Sequence, residues 1–245
     1  MGRSRIRAVR TNDQAWLMET DDARPFPFEH AKLYTGDNGH NLVPYVQANI
    51  FKVIQTSIGD RAIVSTTIDR IDLFKQFLNL FPGPFTILVV IQQPYLAFKK
   101  RGRYTSESDK THIQVEFFLD TFNDYISYDG FHDLWFCCES SGGKVVYDQH
   151  DWFYIYGKAR EAENVLRPLG FIEREVLPPP QHAHCQRHDI HPGTQELLDY
   201  TKWFLNPLMP SDVVRSFPKT SKGLLTRYRS WLEFRKIAKR RRSKK

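Results

Sequence analysis

The chain has 245 residues, 41% of them hydrophobic and 14% aromatic; that is too apolar for general disorder and long enough for one sizeable domain with extensions or two small ones. Its net charge of +7 sits at the ends: residues 221–245 carry eleven Lys or Arg against Glu233, a net +10, and Arg3, Arg5, Arg7 and Arg10 add +4, leaving −7 on residues 11–220. The longest apolar run, Phe85 to Ile91, is too short to span a bilayer; no apolar stretch follows the Arg-rich start as a secretory leader requires, and Ile6 stands where a myristoylation motif needs Ser or Thr.

Residues 1–40 read as an irregular arm with loop signals at Arg24-Pro25-Phe26-Pro27-Phe28 and Asp37-Asn38-Gly39. Residues 42–67 mix Val, Ile and Thr without a clean period and read as a helix followed by a strand. Ile71, Phe74, Leu78 and Phe81 then recur at helical spacing behind Asp69 as a cap, and Pro82-Gly83-Pro84 stops that helix. Phe85 to Ile91 reads as a strand covered on both faces, followed by a polar loop with Lys99, Lys100, Arg101 and Arg103.

Between residues 111 and 128, Ile113, Val115 and Phe117 alternate like a strand, but Val115, Phe118, Leu119, Phe122 and Ile126 fit a helix ending near Asp129-Gly130. The helical template accounts for more residues. Leu134 to Glu139 and Lys144 to Tyr147 form a hairpin about Ser140-Ser141-Gly142-Gly143, and Trp152 to Tyr156 is a third strand. A helix over about 158–167, ended by Pro168 and Gly170, leads to a last strand from Phe171 to Val176. Cys137 and Cys138 are adjacent on a strand and Cys185 stands apart, so no disulfide framework is expected and a reducing, cytoplasmic setting is. Pro178-Pro179-Pro180 marks a domain edge, beyond which a His-rich segment, a helix over about 194–205 and a final helix from about Lys222 follow.

This order implies an α+β fold: an antiparallel or mixed sheet with helices packed on one face, plus a helical basic C-terminal extension. The chain divides into an arm (1–40), an α+β domain (41–177), a Pro/His-rich linker (178–192) and a helical extension with its basic tail (193–245).

Three groups of residues carry chemistry. In the tail, Leu224, Leu225, Tyr228, Trp231, Leu232 and Ala238 recur at helical spacing, while Arg227, Arg229, Arg235, Lys236, Lys239, Arg240, Arg241 and Arg242 supply charge. Arg and Lys neutralise phosphates and Trp231 or Tyr228 offers a ring to a base, so nucleic acid or another polyanion is the expected partner. An anionic membrane surface, a localisation signal, or simple docking of the apolar face with a solvated end are the competing readings.

At the hairpin end, a turn at Ser141-Gly142 would set Leu134 opposite Gln149 and gather His132, Asp133, Asp148, His150 and Asp151, with Asp129 close by. Carboxylates with neutral imidazoles hold divalent metals and work as oriented general bases, which suits metal-assisted hydrolysis of a phosphodiester or similar acidic substrate. The bland alternative is that Asp and His merely cap strand ends and turns. Finally, residues 182–191 pack four of the nine histidines with a cysteine. His182, His184, Cys185 and His188 include the i, i+4 and i, i+3 spacings that suit zinc, although no second ligand pair exists and a solvated polar linker is the preferred reading.

Familiar signatures are missing. Ser140-Ser141-Gly142-Gly143-Lys144 is no phosphate-binding loop, since Cys138 replaces its first glycine and Val145 its final Ser or Thr. Neither GxGxxG nor GxSxG occurs. The expected function is a cytoplasmic binding or accessory protein whose basic helix contacts a polyanion. A metal-dependent hydrolase built on the hairpin-end cluster, with a divalent metal as cofactor, and a plain protein-interaction domain are the alternatives.

Overall fold

Alternation of side chains along the strands organises the molecule. The computed structural model describes residues 6–10, 16–20, 32–37, 40–45, 47–57, 59–92, 100–177, 182–184, 191–210 and 212. In chain order its elements are β1 (Ile6–Arg10), β2 (Trp16–Thr20), β3 (Leu33–Asp37), β4 (His40–Pro44), β5 (Ile50–Thr56), β6 (Gly59–Ser65), α1 (Arg70–Leu78), β7 (Phe85–Ile91), β8 (Gly102–Thr105), α2 (His112–Thr121), α3 (Asn123–Tyr128), β9 (His132–Cys138), β10 (Gly143–Tyr147), β11 (Trp152–Tyr156), α4 (Ala159–Leu166), β12 (Ile172–Glu173), β13 (Ala183–His184), α5 (His191–Asp199) and β14 (Phe204–Asn206). Nine strands form one mixed sheet in the order β12-β5-β6-β11-β10-β9-β7-β8-β14. Among the described strands only β12 runs parallel to a neighbour, β5. With five helices among the described residues, this is an α+β fold.

Every second residue of the central strands faces one core. Phe51, Val64, Ile87, Val89, Leu134, Phe136, Val145, Phe153 and Ile155 meet side chains from all five helices there. Phe74 of α1 sits at its centre, edge-on to Phe153 at 4.9 Å and Phe136 at 5.2 Å. The helix forms where the 3.6-residue spacing of Ile71, Phe74 and Leu78 meets the Asp69 cap, whose carboxylate accepts from the N–H groups of Ile71 and Asp72. Residues 111–128 are helical, as the longer template implies, and Thr111 and Gln114 close a capping box at the start. The run breaks at Phe122 (φ −106°, ψ 20°) into α2 and α3.

Three local expectations are corrected. Residues 50–65 are a hairpin rather than a helix and a strand; Ile50 and Ile54 on the outward side of β5 blur the alternation that Phe51 and Val53 set up. The strand expected over 171–176 pairs only at Ile172 and Glu173, where it meets the start of β5. The helix expected to reach Leu205 ends at Asp199, where the Leu197 carbonyl accepts from the Trp203 indole, and Phe204–Asn206 then pairs with β8.

The arm and the His-rich stretch also contribute strands: β1 pairs with β2, and β3, β4 and β13 form a second sheet. Met1–Val213 form one unit by their contacts. Among the described residues no helix is long and apolar enough to cross a membrane.

Replacing Phe74 by Ala removes a fully buried ring with three edge-on aromatic partners. Urea unfolding is expected to show a loss of about 3–5 kcal/mol. Ile113→Ala on α2, where the side chain is 79% exposed, should stay within about 0.5 kcal/mol of the parent.

Candidate metal centre

The β9–β10 connection decides which side chains meet at the far end of the sheet. Cys138 pairs with Gly143, so four residues, Glu139–Gly142, make the loop, and Gly142 takes the left-handed backbone (φ 67°) that closes it. A two-residue turn at Ser141-Gly142 would have set Leu134 opposite Gln149; instead Leu134 pairs with Tyr147. The register differs from expectation by two residues. Because side chains alternate with period two, an even shift leaves each on its expected face.

That alternation splits the Asp/His cluster. His132 shares the face of Leu134 and Phe136, buried against Tyr125 (ring centroids 4.6 Å apart), with its Nδ1 3.2 Å from Asp129 Oδ1. Its Nε2 is buried without a partner among the described residues. Burial, helped by the nearby Lys32 ammonium, lowers its pKa to about 4.

Asp151 belongs to the same side. It accepts from Arg70 Nε (2.7 Å) and Nη2 (2.5 Å) and from the Tyr147 hydroxyl. Burial of Arg70 opposes its charge, but Asp151 more than offsets this and holds the guanidinium pKa above its ordinary value. Burial and then the Asp151 charge push the Tyr147 hydroxyl well above its own.

Asp133 and Asp148 lie on the other side of this division, beside His150. Asp148 Oδ1 accepts from the backbone N–H of His150 (2.8 Å) and Trp152 (3.1 Å), while Oδ2 meets His150 Nδ1 (2.9 Å) and the Tyr154 hydroxyl (3.1 Å). With Nδ1 taken, Nε2 is the imidazole atom left for a metal, the arrangement by which a carboxylate orients a ligating histidine. Burial works against the charged ring, but Asp148 and then Asp133 raise the His150 pKa above its usual value. Asp133 accepts from Gln149 N–H (3.0 Å) and, at 3.4 Å, from Gln92. Burial, with Asp148 adding to it, raises this carboxyl to about 7.

The histidine run comes to the same place. Strand β13 pairs His184 with Leu33 of β3, and His184 rests against Phe131. The rings of His150, His182 and His184 lie 5.0–5.4 Å apart, and one nitrogen from each falls within 4.8 Å of the other two. His184 is 3% exposed and its Nδ1 has no partner among the described residues. Burial, followed by the neighbouring His150 and His182, keeps its pKa well below the ordinary value, and a neutral imidazole is the form that binds metal. Two groups separate in sequence thus merge through His150, His182 and His184. Cys185 and His188 lie outside the described residues, as do Arg227, Arg229, Trp231, Arg235, Lys236 and Lys239 to Arg242 of the tail.

Sequence reasoning missed two cations. Lys32, 1% exposed, puts its Nζ 3.9 Å from the centre of the Tyr147 ring, without a hydrogen-bond partner among the described residues. Burial lowers its pKa to about 8 against the opposing pull of Asp151, Asp129 and Asp148. Nothing in the pattern of the arm marks it. Arg70 had a signal, since it follows the helix cap directly. No protein-family model, curated protein or solved structure matches this chain.

In metal-free protein, an NMR titration of the ring resonances should place the midpoint of His150 above 6.5 and that of His132 near 4. The unfolded chain protonates His132 near pH 6.5 and the folded one near 4, so this share of stability, about 3 kcal/mol, is complete above 6.5 and lost as the pH falls to 4. Comparing wild type with His132→Gln isolates it: their difference in unfolding free energy should shrink by that amount across the window. Asp151→Ala strands a buried guanidinium and should cost about 3–5 kcal/mol in chemical unfolding.

Proposed function

We propose that this protein is a metal-dependent hydrolase whose centre is the trio His150, His182 and His184, acting on a phosphodiester or similarly acidic substrate. The observation that carries this reading is that the three imidazoles converge, with their ligand nitrogens within 4.8 Å of one another. Three nitrogen ligands and an open fourth position are the donor set of catalytic zinc; nitrogens about 2.0–2.1 Å from a tetrahedral ion stand roughly 3.3 Å apart, a contraction that ring rotation supplies. A divalent ion held there polarises a substrate oxygen and lowers the pKa of water.

The protein residues divide the remaining work. Asp148 fixes the tautomer and direction of His150. Asp133 is the carboxyl of this group free for proton transfer: Asp148 holds His150, Asp129 holds His132, and Asp151 holds Arg70, whereas among the described residues Asp133 accepts only from Gln149 N–H and, at long range, Gln92. It is therefore assigned as the general base. The expected polyanion-binding role of the basic tail is compatible with an acidic substrate and is a separate proposal.

Metal analysis of the purified full chain is expected to find one zinc per chain, lost in both His150→Ala and His184→Ala. Asp133→Asn should keep the metal yet slow cleavage of bis(p-nitrophenyl) phosphate by about 10²–10⁴-fold. A wild-type chain that retains no divalent metal at micromolar free concentration would rule the centre out.

A further inference from the structure

The face of the nine-stranded sheet opposite the helical core carries an ordered set of rings and cations. Strand register places Arg61, Tyr156 and Lys144 side by side across β6, β11 and β10, and Tyr154, Val146 and Trp135 in the adjacent row across β11, β10 and β9. The contacts run without a gap. Arg103 lies 5.2 Å from the Trp135 ring centre and Lys144 Nζ 5.1 Å from it; Lys144 Nζ also lies 4.6 Å from Tyr156, and Arg61 lies 5.6 Å from Tyr156 and 5.3 Å from Tyr154. Tyr154 then donates to Asp148, the residue that orients His150. One continuous track therefore leads from Arg103 to the metal centre.

Three properties of this track identify its ligand. The three rings and three cations are half-buried, so each keeps part of its surface accessible, while Val146 between them is buried. The charge is not cancelled: Arg103 pairs with Asp212, but among the described residues neither Arg61 nor Lys144 has a carboxylate within ion-pair distance. Moreover, two buried donors, Trp135 Nε1 and Arg61 Nε, have no acceptor among the described residues. A ligand that offers anionic oxygens and flat faces at repeated intervals meets all three conditions.

We infer that this sheet face binds single-stranded nucleic acid, with bases against Trp135, Tyr154 and Tyr156 and phosphates at Arg61 and Lys144, and leads the strand to the metal centre. Rings accept any base and cations track the backbone, so little sequence preference is expected. A duplex, whose bases are stacked inward, cannot use the rings. The inference rests on the hydrolase reading for the fate of the strand and on the sheet face alone for its binding.

The test is fluorescence anisotropy with a labelled oligothymidylate of about 12 nucleotides, using the full chain over a salt series. The wild type should bind it more tightly than a duplex of equal length. Trp135→Ala and Lys144→Glu should each weaken binding about tenfold while leaving metal content and cleavage of bis(p-nitrophenyl) phosphate unchanged. A tail variant with Lys239, Arg240, Arg241 and Arg242 replaced by Glu should keep its sensitivity to Trp135→Ala.

Binding that survives both sheet variants and disappears with the tail charges overturns the proposal. So does equal affinity for duplex, or displacement of the oligonucleotide by polyglutamate as readily as by unlabelled strand, which would mark an acidic-protein site. The two readings fail separately. If the wild type holds no metal yet binds the strand in a Trp135-dependent way, the hydrolase reading fails and the sheet-face inference stands.

Discussion

Asp151 receives both the Arg70 guanidinium and the Tyr147 hydroxyl while its own backbone sits at φ 67°, a conformation that disfavours side chains other than glycine, Asn and Asp. The cost of that backbone is of order 1–2 kcal/mol, and a buried bidentate ion pair with an added hydroxyl donor holds it in place. The pair ties the first residue of α1 to the turn after β10, so the helix that carries Phe74 into the core also fixes the turn that carries His150. Asp148 is set within the same turn, where the Asp151 N–H donates to the Asp148 carbonyl at 3.1 Å. The packing of the core therefore sets the turn, and Asp148 within that turn sets the direction of the candidate ligand His150.

Strand parity then divides the labour at this end of the sheet. His132 and Tyr147 face the helices and stay with Asp129, Asp151 and Arg70, where burial makes ionisation costly and every carboxylate has a fixed partner. Asp133, Trp135 and Tyr154 alternate to the other face, where charge is only partly matched. Carboxylates with fixed partners on one side and partly matched charge on the other are the conditions for structure and for chemistry respectively. The sheet separates them by one residue.

Much of this was legible in the sequence. Helix α1 was readable because its spacing, cap and stop agreed, and β7, β9, β10 and β11 because their apolar residues alternate or run together between clear turn signals. The hairpin at 50–65 was not, since Ile50, Ile54 and Ile63 on the outward face, beside Phe51, Val53 and Val64 on the inward one, erase the period that separates strand from helix. The Asp/His cluster was anticipated as a neighbourhood, with its register two residues out, because Ser140-Ser141-Gly142-Gly143 supports a loop of either length. What no local pattern contained was the convergence of His182 and His184 with His150: it depends on β13 pairing with β3 some 150 residues earlier in the chain, a long-range fact that neither spacing nor composition encodes. Lys32 is hidden for the same reason, being buried by partners distant in sequence.

Net charge was the least informative quantity. Residues 11–220 sum to −7, which suggests a body that repels polyanions, yet Arg61, Arg103 and Lys144 share one sheet face with three aromatic rings. At physiological ionic strength charges separated by more than about 8 Å are largely screened, so a ligand on that face responds to those cations and not to the sum. The Tyr154 hydroxyl, one end of the aromatic track and a donor to the carboxylate that orients His150, joins the surface to the centre through a single side chain. Tyr154 and the His150 imidazole both bond Asp148 Oδ2, so the sheet face and the candidate metal centre share one carboxylate.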